Sequence, residues 1–137
     1  MIDSDSLVRL ALFADLSSPQ VEAVSHVLGD ERFVRGTRVV RRGLSGGSFF
    51  VVLEGAASVE IDGSERARLT PGDFFGEVSA LTGEPTTADV VAATDELRCA
   101  VLPGEELRPL LLRYPAVAIR MLETGARRLR NANLWQP

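Results

Sequence analysis

The chain has 137 residues, 45% hydrophobic and 25% charged, with a formal net charge of −4. That composition suits one domain with a packed core rather than disorder, and the acidic balance argues against non-specific binding to nucleic acid or anionic membranes. A single cysteine, Cys99, excludes an intramolecular disulfide; no apolar run approaches the roughly 20 residues that cross a bilayer; and residues 1–6 carry Asp3 and Asp5 with no basic residue, unlike a signal peptide. The expectation is a cytoplasmic protein.

In chain order, residues 7–13 are densely apolar and read as a short helix. Ser17-Ser18-Pro19 opens a second helix, with a serine cap, proline at the first helical position and Glu22 in the first turn. Val21, Val24, Val27 and Leu28 give it an apolar stripe, and Gly29 ends it. From Arg32 the period changes. Short strand-like runs cover residues 33–34, 39–40, 49–53, 57–61 and 66–69, punctuated by glycines, with Asp62-Gly63 as a hairpin signal. Residues 76–81 read as one helical turn, and residues 88–93 and 97–102 return to strand. Pro103-Gly104 leads into a helix over 105–113, Tyr114-Pro115 breaks it, and a last helix runs over about 116–131. The predicted fold class is α+β. One domain spans residues 1–137: helices over about 4–29, an antiparallel, jelly-roll-like β-roll over about 31–102, and C-terminal helices over about 104–131.

A β-roll enzyme of the metal-dependent kind needs several histidine and carboxylate ligands on inward strand positions. The only histidine, His26, falls on the second helix beside its apolar stripe. Cys99 lies in an apolar run and reads as a small buried side chain, and no Ser-His-Asp or Cys-His set is visible. The chain is therefore expected to be no enzyme and to carry no catalytic or metal site.

The sequence is informative over residues 72–90. It runs Gly72-Asp73-Phe74-Phe75-Gly76-Glu77-Val78-Ser79-Ala80-Leu81 and reaches Pro85. Together with "LFADLS" and "RRGLSGGSFFVVLEGAASV", in that order and spacing, this resembles the cyclic nucleotide-binding domain family, and the resemblance covers nearly the whole chain. It implies that Gly76, Glu77, Val78, Ser79, Thr86, Thr87 and Asp89 form a phosphate-binding cassette. Gly76 would let the backbone approach a ligand. Glu77 would accept from a ribose hydroxyl, or else serve as a first-turn carboxylate favouring the helix N-terminus.

Two positions depart from the family. After Pro85 the family places an arginine that pairs with the phosphate; here it is Thr86. Where the family carries Thr or Ser, this chain has Asp89. One change removes a cation and the other adds an anion, so weak or absent binding of cyclic AMP and cyclic GMP is expected. Thr86 offers only a hydroxyl donor. Arg41, Arg42 and Arg68 read as surface charges, with entry of one of them into the pocket left open. No cofactor is expected beyond a cyclic nucleotide or other nucleotide as ligand. The alternative is a protein-interaction or assembly domain with no small ligand.

In the last helix, Val117, Met121, Leu122, Ala126 and Leu129 keep helical spacing, for packing on the roll or for a homodimer seam over positions 118, 122, 126 and 129. Arg127, Arg128 and Arg130 read as a solvated face or as a balance for the helix's negative end, and Trp135 as a cover for an apolar edge or a base-stacking group. The family's catabolite-activator-type regulators carry a helix-turn-helix beyond this helix. With the sequence ending at Pro137, no direct DNA binding by this chain is expected, and the effector, a separate protein or a fused domain, is left undefined.

Overall fold

The computed structural model describes residues 2–134; the expectation for Trp135 lies outside them. The N-terminal segment is α1 (Asp5–Val8), a 3-10 turn (Ala11–Phe13) and α2 (Ser18–Val27). The single helix expected over 7–13 is thus broken at Leu10, which is extended. The break lets Leu7, Leu12 and Phe13 all bury in one core, which one straight helix could not do for so crowded an apolar run. The serine cap of α2 is as read, but the helix starts at Ser18, so Pro19 is its second residue and Glu22 lies beyond the first turn. Ser17 Oγ accepts from the Gln20 amide at 3.3 Å, and Gln20 Oε1 accepts from the Ser17 amide at 2.9 Å, a reciprocal capping box.

Eight strands follow: β1 (Gly29–Val34), β2 (Arg38–Val40), β3 (Phe49–Glu54), β4 (Ala57–Ile61), β5 (Ser64–Leu69), β6 (Phe74–Phe75), β7 (Asp89–Ala92) and β8 (Glu96–Leu102). They form two four-stranded sheets, ordered β1-β8-β3-β6 and β2-β7-β4-β5, with every pairing antiparallel. A short helix, α3 (Glu77–Thr82), follows β6; α4 (Leu107–Arg113) and α5 (Pro115–Leu134) follow β8. The α+β roll with flanking helices is the architecture the sequence predicts. The two-residue β6 is an addition, hidden inside the Gly-Asp-Phe-Phe turn.

The β1-β8-β3-β6 sheet is the middle of three layers. On β3, Phe49 and Val51 pack with the helices, while Phe50 and Val52 pack toward the second sheet. On β8, Ala100 and Leu102 face the helices, and Leu97 and Cys99 face the second sheet. On β6, Phe74 joins the helical side and Phe75 the inter-sheet side, where its ring stacks on Phe50 at 4.7 Å. A strand covered on both faces reads as a continuous apolar run rather than an alternation, which explains "FFVVL". Cys99 is fully buried, and burial pushes its thiol up to about 12, so it is a packing residue and no thiolate nucleophile.

Between β3 and β4 the chain turns at Gly55, whose φ is +80°. A methyl group there would overlap the Glu96 carbonyl oxygen and the Thr94 hydroxyl. Gly63, in the β4–β5 hairpin, also has a left-handed φ of +77° but open space around it. Gly63→Ala should therefore lose only the left-handed penalty of about 1–2 kcal/mol. Gly55→Ala should lose that plus an overpacking cost of about 1–3 kcal/mol. Urea unfolding of both variants checks this; equal losses would show that the approach at Gly55 is not tight.

Candidate functional site

The turn into the site is built by residues 70–76. The Asp73 carboxylate accepts from the Thr70 amide at 2.8 Å, and Gly72 N and Asp73 O exchange hydrogen bonds with Val52. This lays Phe74-Phe75 against β3 and delivers the chain to Gly76 in a left-handed conformation, φ +90°. A methyl group on Gly76 would run into the Ser48 carbonyl oxygen. The glycine is thus required by the close passage of the chain's own backbone.

Beyond it lies an open cavity of about 560 Å³ between α3, β4, β5, β7 and α5. Gly76, Glu77, Val78, Ser79, Thr86 and Thr87 all line it, on walls that include Val40, Val59, Leu69, Phe75 and Val90. The Ser79 hydroxyl is buried and without a hydrogen-bond partner among the described residues.

Glu77 is the polar centre of this cavity, its side chain only 15% exposed. Arg128, from α5, donates through Nη1 to Glu77 Oε1 at 3.1 Å and through Nη2 to the Phe74 carbonyl at 2.7 Å. Its guanidinium lies 4.7 Å from the centre of the Phe74 ring. Arg128 is therefore no solvated charge, as its sequence position suggested, but a cavity residue. Burial pushes the Glu77 carboxyl above the ordinary glutamate range; its own backbone N–H and the Arg128 charge pull it down without cancelling that effect.

Thr86 stands at the position where the resemblance expects arginine, and its hydroxyl is already engaged. Oγ1 donates to the Arg41 carbonyl at 2.6 Å, while Thr86 N and O bond to Leu44 O and Gly43 N. The residue ties the segment leading to β3 against the cassette, and its hydroxyl presents acceptor lone pairs rather than a free donor. Asp89 is not among the lining residues. Its Oδ1 accepts from the Arg42 amide at 2.8 Å and its Oδ2 lies 3.9 Å from Arg38 Nε. The expected anion in the cavity is instead a fastening between β2 and β7. Arg42 and Arg68 pair with Asp62 and Glu65, and none of Arg41, Arg42 and Arg68 lines the cavity. Arg66 does, and sequence reasoning missed it.

The family model described as the cyclic nucleotide-binding domain matches residues 30–114. The chain belongs to the cyclic nucleotide-binding domain family. It is 35% identical, over 73% of its length and 20% of the relative's, to the cAMP-dependent protein kinase regulatory subunit of Mycosarcoma maydis. It is 28% identical, over 95% of its length and 15% of the relative's, to the cGMP-dependent protein kinase, isozyme 2 forms cD5/T2, of Drosophila melanogaster. Among solved structures it is similar to the Thermus thermophilus catabolite activator protein, with 30% identity and a TM-score of 0.77 over 90% of this chain and 60% of that one. The chain spans a third or less of the length of the curated relatives it matches. Among the described residues, no helix is long and apolar enough to cross a membrane, and no cluster of His, Cys, Asp and Glu is placed to hold a metal ion.

The raised Glu77 pKa of this cyclic nucleotide-binding domain gives a stability signature. Below the ordinary glutamate pKa the group is protonated in both the folded and unfolded states. As pH rises through that value toward the raised folded value, the unfolded chain gives up its proton first, and the folded state loses stability. Glu77→Gln should remove this loss. Compared by urea unfolding from about pH 4 to about pH 7, the variant should gain on the wild type as pH rises. A gap that narrows with rising pH would mean that Arg128 outweighs burial.

Proposed function

We propose that the cavity binds a cyclic purine nucleotide as a regulatory ligand and that Glu77 accepts from its ribose hydroxyl. One observation carries the reading: a buried carboxylate, held in place by an arginine, faces an open cavity among the cassette residues Gly76, Val78, Ser79, Thr86 and Thr87. An assembly domain with no small ligand has no use for an open cavity around a desolvated acid. The names of the relatives, which mention cAMP and cGMP, support the ligand class.

Binding is weaker than a full cassette allows, because Thr86 supplies neither charge nor a free donor. A charge-assisted hydrogen bond contributes about 1.5–3 kcal/mol, so its absence lowers affinity about tenfold to a hundredfold. Calorimetric titration with cyclic AMP and cyclic GMP tests this. The wild type should bind one of them weakly, Thr86→Arg should tighten binding by about that factor, and Glu77→Ala in either background should abolish it. Tight binding by the wild type with no gain in Thr86→Arg would refute the account of Thr86.

We also propose that α5 reports the cavity's state through a homodimer. Val117 and Met121 bury the first half of the helix against α4 and the N-terminal core. Ile119, Leu122 and Leu129 leave an exposed apolar stripe, Leu122 at 67% exposure. With Ala126 they recur at seam spacing, one step round the helix from the expected position 118. Light scattering should show a dimer for the wild type and a folded monomer for Leu122→Glu; a wild-type monomer at high micromolar concentration would overturn the seam.

A further inference from the structure

The β4–β5 ladder pairs Val59 with Ala67 and then Glu60 with Glu65, leaving Arg66 without a partner across the strands. In a regular strand, successive side chains point to opposite faces. Here the consecutive residues Arg66 and Ala67 both line the cavity. An extra residue that disrupts a ladder and re-aims a side chain is the effect of a β-bulge. The neighbouring arginines are engaged: Arg68 pairs with Glu65, Arg42 with Asp62 and Arg128 with Glu77. Arg66 has no carboxylate within ion-pair distance among the described residues.

The lining thus holds three formal charges. Glu77 and Arg128 offset each other, and Arg66 leaves the cavity with one uncompensated positive charge. We propose that Arg66, brought to the exposed rim of the cavity by the β5 bulge, supplies a cation to the ligand's phosphate, and that the cavity prefers a singly charged phosphodiester to an uncharged nucleoside. This rests on the nucleotide reading above. It places this charge on β5, outside the cassette, so an arginine at Thr86 would add to it rather than replace it.

The test uses the full chain and two probes that share base and ribose, cyclic AMP and adenosine, titrated calorimetrically into wild type, Arg66→Gln, Arg66→Lys and Thr86→Arg. Arg66 is exposed, so its effect lies between a surface ion pair and a desolvated one. Arg66→Gln should weaken cyclic AMP about fivefold to tenfold and adenosine less than about twofold. Arg66→Lys should keep most of the preference for cyclic AMP. Unchanged cyclic AMP affinity in Arg66→Gln would overturn the inference and leave the nucleotide reading standing. Equal losses for both probes would overturn it too, since Arg66 would then act on the base or ribose. Binding by Thr86→Arg but not by wild type would overturn it as well, since Arg66 would then supply no effective charge of its own. No binding by any of these proteins, with cyclic GMP as well, would remove the nucleotide reading itself.

Discussion

Glu77 stays buried beside the cavity because Arg128 reaches it from a helix 51 residues away in sequence. An isolated buried carboxylate carries a penalty of several kcal/mol. Arg128 offsets part of it with one charged hydrogen bond, and anchors itself by a second bond to the Phe74 carbonyl and by its position over the Phe74 ring. The offset is incomplete, as the raised Glu77 pKa shows. The carboxylate is thus incompletely compensated, and a further donor would lower its pKa. A hydroxyl from the proposed ligand would donate to the same carboxylate that Arg128 holds from α5.

The rest of the molecule makes that junction possible. The middle sheet is apolar on both faces, so it fixes β6 between two cores, with Phe74 toward the helices and Phe75 toward the second sheet. Glu77 follows two residues after Phe75, with Gly76 making the turn against Ser48. At the other end of the path, Val117 and Met121 seat α5 in the helical core, and Arg120 pairs with Asp15 at 2.7 Å. The helix is therefore held by packing in its first half and by Arg128 in its second. That division leaves Leu122 and Leu129 uncovered.

Much of this was legible in the sequence, for definite reasons. The serine cap before α2, the hairpin at Asp62-Gly63 and the strand-like run over 49–53 are local signals, and each produces the element it predicts. Six of the seven cassette residues line one cavity because they fall on the Gly76 turn, the first turn of α3 and the loop leading into β7. What the sequence did not reveal depends on distant pairing. Arg128 looked like one of three surface arginines; only the packing of α5 brings it to Glu77. Asp89 looked like an anion in the cavity, but the Arg42 amide and Arg38 claim its carboxylate. Arg66 carried no signal, because its place at the cavity goes with a register slip against Glu60 that the sequence does not mark.

The central claim is that the Glu77–Arg128 cavity is where the ligand binds and that α5 senses it. An amide-resolved NMR titration with cyclic AMP and cyclic GMP tests it most directly. The account predicts saturable shifts at residues 74–79 and 85–88 together with the Arg128 side chain, and smaller ones along α5. Saturable shifts confined to another surface, or no shifts at all at millimolar nucleotide, would contradict it.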